Sequence, residues 1–351
     1  MAVPTHSERT QSRPTVTAVV LAWGDEPVLE ESVRAVLASE DVRPDVVLVD
    51  NGCTSDAVEV LSSVAGVTVV RPGLNLGFAA GCNLGAQRAT GEFVAFVNGD
   101  AVVRSDALAK LVAGLSDDIG LTTASLRLYD EPDTLNSAGN PVHYLGLSWA
   151  GGLGVSAAAD EHGQDGSEDV ASTTGAATVV RADRFAALGG FCEPMFAYCE
   201  DTDLSLRCWQ RGWRVVLVPD AIVLHRYEFS RNPQKLYLLE RNRLFMVFTV
   251  YSGRLLGAVL LPFLGMELAM LAMAAKDGWA GRKAAGWWWL LRHAGLVRRR
   301  RREVQSARVV PDADLVRLLT GDVTPGVDGL SVPTMLRRVS VAYWALARRV
   351  V

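Results

Sequence analysis

No pair of cysteines in this chain has CxxC spacing. The five, Cys53, Cys82, Cys192, Cys199 and Cys208, are odd in number and widely scattered. That argues against a zinc or dithiol redox site and for free thiols in a reducing compartment. The Gly-rich stretch over residues 73–85 contains no Gly-Lys-Ser/Thr and is not GxGxxG, so NTPase and dinucleotide-dehydrogenase readings lose their main support. The first apolar run leads into "LAWGDEP", which has no Lys or Arg. A sugar nucleotidyltransferase would carry a Gly-rich, basic loop there. The opening "MAVPTHSERTQSRPT" lacks an apolar signal core, so residues 1–14 read as a disordered tail and the chain as cytoplasmic. There is no internal repeat.

What is present is a globular composition: 351 residues, 49% hydrophobic and 21% charged. The net charge of −4 conceals an asymmetry. Residues 1–230 carry 15 basic and 31 acidic side chains, whereas residues 231–351 carry 20 and 8. A basic C-terminal third suits an anionic partner such as a membrane surface.

Short apolar runs alternate with helical spacing. Val16–Trp23, "DVVLVDNG", "VTVVRP" and "EFVAFVNGD" read as buried strands. Glu30–Ser39, the segment from Asn75 and Ser105–Leu115 read as helices, the last capped by Ser105. This order predicts a doubly wound α/β sheet with ligands at the carboxyl ends of its strands, where Asp50, Arg71 and Asp100 fall. Residues 151–171 are small, polar and acidic and read as a loop over the site. A strand, a short helix from Ala182 and the strand "WRVVLVPDAIVLH" follow.

Each candidate motif has two readings. Asp50 can offer a carboxylate to a ribose or base, or "VDNG" can be turn chemistry. Asn75, Gly77, Asn83 and Gly85 can let backbone approach a ligand, or pack a helix on the sheet. Asn98 and Asp100 end a strand. Asp100 suits a divalent cation, which takes few carboxylates when diphosphate oxygens and water supply the rest. His225 ends a later strand and can complete such a site. Glu200, Asp201 and Asp203 are an acidic helix start or include a catalytic carboxylate.

Together the motifs resemble the inverting family 2 glycosyltransferases of GT-A fold, in their rhamnosyltransferase-like branch. The residues that carry this are "VDNGCTSD", "NLGFAAGCNLGA", "FVNGD", "TGAATVVRADRFAALGGF", "FAYCEDTDLSLR", "GW", "VPDAIVLHRYEFSR" and "LLERNR", over about residues 16–243. The resemblance implies a mixed, mainly parallel sheet flanked by helices over residues 15–243, with a helical, amphipathic region over 244–351. It implies donor contacts at Asp50, Asn51, Arg71, Asn75 and Asn98, and a donor–acceptor boundary at Gly175 and Ala176. Asp100 and His225 would hold Mg²⁺ or Mn²⁺. The first acidic position of a DxD pattern is Asn98 here, which leaves Asn98 as a sugar or ribose contact. Asp201 would be the general base and Glu200 an acceptor or orienting contact. Asp203, four residues before Arg207, reads instead as half of a helix ion pair. The implied partners are a dTDP- or UDP-sugar and a glycan or polyprenyl-linked acceptor, with no nucleic acid.

Leu255–Ala275 is long enough to span a bilayer but contains Pro262 and Glu267. Trp279, Trp287, Trp288 and Trp289 suit a headgroup region, and Arg298–Arg302 suit anionic lipid. The expectation is a peripheral enzyme at the inner face of the membrane. A buried helical hairpin and a true span are the alternatives. Two further functions stay open: a degenerate protein that binds a nucleotide sugar without turnover, and a sugar nucleotidyltransferase.

Overall fold

The computed structural model describes residues 13–159, 167–227, 232, 234–323 and 332–351. The expected tail lies almost wholly outside the described residues, as do residues 160–166 of the acidic loop. In chain order, the first half contains β1 (Thr15–Gly24), α1 (Leu29–Leu37), β2 (Arg43–Cys53), α2 (Ala57–Ser62), β3 (Val67–Val70), α3 (Gly77–Ala86), β4 (Phe93–Asn98), β5 (Ala101–Val103), α4 (Ala107–Ala113), β6 (Ile119–Leu128), β7 (Leu135–Ser137) and β8 (Val142–His143). The second contains β9 (Glu168–Asp169), β10 (Ala177–Arg181), α5 (Ala182–Leu188), α6 (Glu200–Gln210), β11 (Arg214–His225), α7 (Lys235–Val250), α8 (Gly253–Lys276), α9 (Ala280–Arg292), α10 (Ala294–Ser306), α11 (Asp312–Val316), β12 (Leu319–Thr320) and α12 (Thr334–Ala347).

The main sheet runs β3-β2-β1-β4-β10-β6-β11-β5, with β7 on β6 and β9 on β11. β1, β2, β3 and β4 are parallel, β11 is parallel to β6, and β10 enters antiparallel between β4 and β6. The chain order reverses at β1, between β2 and β4, which opens a crevice at their carboxyl ends. Both faces of β1 are covered. Val16, Ala18, Val20 and Ala22 pack with α1, α2 and α4, while Val19 packs with α3, α5 and α6. A strand buried on both faces needs apolar residues throughout, hence the continuous run.

Gly81 and Gly85 of α3 face the sheet rather than a ligand. A Cβ at Gly85 would overlap Val19, and one at Gly81 would come within 3.0 Å of Leu21. Asn83 donates to the Phe191 carbonyl and to Glu193, and accepts from the Phe191 amide. The packing reading of this segment therefore holds.

Several local expectations change. Ser105 does not cap α4; Asp106 precedes the helix without a capping bond and pairs with Lys110. The loop over 151–171 closes on β9, which pairs with β11. β6 has no clear mark in the sequence because Thr122, Thr123 and Ser125 interrupt its apolar run. All three are buried. The Thr122 and Thr123 hydroxyls donate to the carbonyls of Leu111 and Ala177, so the two threonines meet their hydrogen-bonding needs inside the sheet, whereas the Ser125 hydroxyl has no partner among the described residues.

α7 runs through residue 243, so no element ends there. Its buried Glu240 and Arg243 form a charge cluster with Glu267 of α8 and Lys283 of α9. The Arg298–Arg302 run is not one exposed stripe. Arg300 turns inward to Asp203, and Arg301 donates to the carbonyls of Phe248 and Tyr251.

Candidate active site

Of the expected donor residues, Asp50, Asn75 and Asn98 lie at or near the carboxyl ends of β2 and β4, whereas Asn51 and Arg71 are engaged elsewhere. The Asp50 Oδ1 accepts the amides of Gly52 and Cys53, at 3.3 and 3.1 Å, which ties the carboxylate to the last residues of β2. Trp23, not among the expected site residues, lies at the end of β1 with its side chain partly exposed. A Cβ at Gly52 would stand 3.8 Å from Asn75 and 3.9 Å from the Trp23 ring. Trp23 and Asn75 thus both lie beside Gly52, two residues from Asp50. The signal for Trp23 was its place at the end of the first strand.

Asn51 has a different job from the expected donor contact. It is buried. Its Nδ2 donates to the Gly77 carbonyl at 3.1 Å and its Oδ1 accepts the Leu76 amide at 2.8 Å. Both ends of the amide are used to tie β2 to the start of α3. Arg71 also departs from expectation, because its guanidinium pairs with Glu59 of α2 at 2.8 Å on the surface. Asn75 accepts the Gly77 amide.

Asp100 and His225 do come together. Pairing of β5 with β11 sets His225 opposite Ala101, and the His225 Nε2 lies 3.2 Å from Asp100 Oδ1. The other ring nitrogen, Nδ1, lies 2.7 Å from Asn136 Oδ1 of β7. An amide oxygen only accepts, so this contact places a proton on Nδ1. In the neutral ring, Nε2 then directs its lone pair at a carboxylate, and a cation between the two satisfies both. An oxygen and an imidazole nitrogen suit Mg²⁺ or Mn²⁺. Among the described residues no third His, Cys, Asp or Glu joins them.

Asp201 sits in the first turn of α6. Its Oδ1 accepts the Thr202 amide at 2.7 Å and its Oδ2 accepts the Gly175 amide at 3.1 Å. Ala176, next to Gly175, is buried and accepts the Asn98 amide through its carbonyl at 3.0 Å. A continuous path therefore joins Asp201 to the strand end that carries Asn98 and Asp100. Burial pushes the Asp201 carboxyl above the usual Asp range, against the bonds from Thr202 and Gly175, which pull it down. A raised value makes the carboxylate a stronger base.

Glu200 is turned inward. It is 5% exposed, and its charge acts on Cys82 of α3 and on Tyr198 and Cys199. Its Oε2 has no partner among the described residues. Burial first, and the charge of Asp201 second, push its carboxyl well above the usual Glu range. Asp203 meets the ion-pair expectation: it is fully buried and bonds Arg207 at 2.7 Å.

The chain enters α6 through an unusual bend. Phe196, Tyr198 and Cys199 have φ of 66°, 70° and 67°, a region that bulky side chains rarely occupy. The "ERNR" segment of α7 holds this bend. Asn242 Nδ2 lies 2.8, 2.8 and 2.7 Å from the carbonyls of Met195, Ala197 and Tyr198, and Arg241 donates to those of Pro194 and Met195. On its other side, the Phe196 carbonyl accepts the Ala79 amide, while Gly77 leaves the space that a Cβ would take from Phe196.

A family model described as "Glycosyltransferase like family 2" matches residues 14–245. The chain belongs to glycosyltransferase family 2. It is 36% identical over 86 residues to the N-acetylglucosaminyl-diphospho-decaprenol L-rhamnosyltransferase of Mycobacterium tuberculosis (strain CDC 1551 / Oshkosh), a stretch covering 24% of this chain and 28% of that relative. It is 29% identical over 134 residues to the succinoglycan biosynthesis protein ExoO of Rhizobium meliloti (strain 1021), covering 34% and 38%. The chain thus spans well under half the length of these curated relatives. Among solved structures, GalNAc-T7 with UDP, GalNAc and Mn²⁺ superposes with a TM-score of 0.56 at 17% identity, over 71% of this chain and 51% of that one. TarS of S. aureus gives 0.53 at 13% identity, over 95% and 55%. At these identities the likeness speaks for the fold: the GT-A-like mixed sheet flanked by helices is the one this family 2 chain adopts.

Proposed function

We propose that this chain is an inverting glycosyltransferase that moves a sugar from a nucleoside diphosphate to a hydroxyl of a glycan or polyprenyl-linked acceptor. The observation that carries the reading is the path from Asp201 through Gly175 and Ala176 to Asn98 and Asp100. In this reading Asp201 is the proton acceptor, and the strand end with Asn98 and Asp100 is where the donor diphosphate binds. Rhamnose is the sugar the mycobacterial relative's name supports, and dTDP-rhamnose is the donor proposed with it; a UDP-sugar is the alternative that the neighbour with UDP supports.

Asp201 takes the proton of the acceptor hydroxyl as that oxygen attacks the anomeric carbon. The bond from that carbon to the diphosphate oxygen breaks, and its electron pair leaves with the nucleotide. The bonds from Thr202 and Gly175 fix the carboxylate's orientation. Mg²⁺ or Mn²⁺, held by Asp100 and His225, supplies charge neutralisation at the leaving diphosphate when bound. The partly exposed Trp23 ring offers a stacking face for the base, Asp50 faces its polar edge or the ribose, and Asn98 faces the ribose or sugar. A peripheral position at the inner face of the membrane brings the enzyme to a polyprenyl-linked acceptor. The test is Asp201→Asn. Transfer should be abolished while nucleotide-sugar binding persists, and wild-type turnover in the variant would end the base assignment.

A further inference from the structure

One helix among the described residues, α8, is long and apolar enough to cross a membrane. Its two faces have different fates. Leu255, Val259, Phe263 and Glu267, spaced four residues apart, are buried against the body of the protein. Leu260, Leu261, Leu264 and Leu268 line the opposite side and are 52%, 77%, 51% and 68% exposed. The intervening exposed positions, Gly257, Gly265, Ala269, Ala272 and Ala275, add no polar side chain over about five turns.

α12 lies against the start of this helix, with the Tyr343 hydroxyl donating to the Ala258 carbonyl and Arg254 donating to the Val350 carbonyl. It brings exposed Met335, Leu336, Val339 and Leu346. Exposed cations frame the two helices: Arg254 and Lys276 at the ends of α8, and Arg338, Arg348 and Arg349 on and after α12. Asp277 is the exposed carboxylate beside Lys276.

The buried face explains why the helix stays with the protein. Glu267 pairs with Arg243, lies 3.1 Å from Lys283 Nζ and accepts the Trp287 indole N–H at 2.8 Å. Arg243 and Lys283 are themselves buried, and the remaining carboxylate, Glu240, bonds both. Threading α8 through a bilayer would carry Glu267 into hydrocarbon and leave two buried cations sharing one carboxylate. The tryptophans divide in the same way: Trp287 and Trp289 pack inward, and Trp288 is 63% exposed.

We infer that the outer face of α8, with α12 beside it, is the surface that docks on an anionic lipid bilayer. The helix lies in the plane of the interface and does not cross. A broad apolar face bordered by arginines matches the depth order of acyl chains and anionic headgroups. The inference rests on the peripheral-membrane part of the proposed function and names the surface that carries it.

The test is flotation of the full-length protein with vesicles of phosphatidylcholine, with and without one-third phosphatidylglycerol. Wild type should float with the anionic vesicles and be stripped by alkaline carbonate. Leu261→Glu/Leu264→Glu should cut the bound fraction about tenfold or more, because each replaces an exposed apolar side chain that would enter the bilayer with a charge. Its melting temperature and nucleotide-sugar binding should stay at wild-type values. Arg338→Glu/Arg348→Glu should weaken binding to the anionic vesicles alone. Wild-type flotation by the leucine variant would overturn the surface while leaving membrane association standing. Resistance to carbonate would overturn the in-plane position. Failure of the wild type to float, with a dimer that the leucine variant splits, would overturn both and assign the face to a second copy.

Discussion

Asn242→Ala tests whether the bend before α6 positions the base. Asn242 is fully buried and its one amide nitrogen serves three carbonyls. In the variant, Met195 keeps its bond from Arg241, while Ala197 and Tyr198 lose the donor they share. At about 1–1.5 kcal/mol for each part-buried carbonyl, the stability loss is about 2–3 kcal/mol. Three positive-φ side-chain-bearing residues hold strain of about 1–3 kcal/mol each, so the released segment relaxes instead of staying in place. Cys199 starts α6, since its carbonyl accepts the Asp203 amide. A shift there moves Asp201 directly. A displacement of about 1 Å at a catalytic group costs up to about 100-fold in rate. The assay is kcat and donor KM on the purified variant, with its thermal melting measured in parallel. The expected result is a kcat about two orders of magnitude lower with donor KM little changed. A lowered melting temperature with wild-type kcat would refute the reasoning, because Asn242 would then be a structural residue only.

Three further outcomes follow from the same geometry. Glu200 has a raised folded-state value, so the folded protein binds that proton more tightly than the unfolded chain does. Its favourable contribution is present below the ordinary Glu value and is lost as pH rises through the raised one. The melting-temperature advantage of Glu200→Gln over wild type should therefore grow from pH 4 to pH 8, and a pH-independent difference would count against it. Asn136→Ala should weaken Mn²⁺-dependent donor binding about tenfold by freeing the His225 ring; an unchanged Mn²⁺ midpoint in thermal-shift titrations would remove Asn136 from the site. Lys283→Met leaves Glu240 and Glu267 to share Arg243. It should cost about 3–5 kcal/mol in urea unfolding, and a loss below about 1 kcal/mol would mean the cluster is better compensated than its hydrogen bonds indicate.

The parts of this fold whose signal is local can be read from the residues alone. Buried parallel strands must be apolar on both faces, so β1, β2 and β4 stood out as continuous runs. Strand ends then marked Asp50 and Asp100; the helix start marked Glu200, Asp201 and Asp203 alike, and only the family resemblance singled out Asp201 among them. The spacing of Asp203 and Arg207 already specified their ion pair. Tertiary structure decided what depends on distant partners. Asn51 looked like a ligand contact until both ends of its amide met the start of α3. β6 was hidden because its buried threonines find acceptors on other segments. Asn136 has no local mark and gains meaning only against His225, 89 residues away. Glu267 read as a break in an apolar helix, yet it joins that helix to Arg243 and Lys283. A side chain's polarity is written in the sequence. Whether that polarity is spent on a ligand, on a neighbouring carbonyl or on a buried counter-ion is fixed only when the chain brings its partner within hydrogen-bond reach.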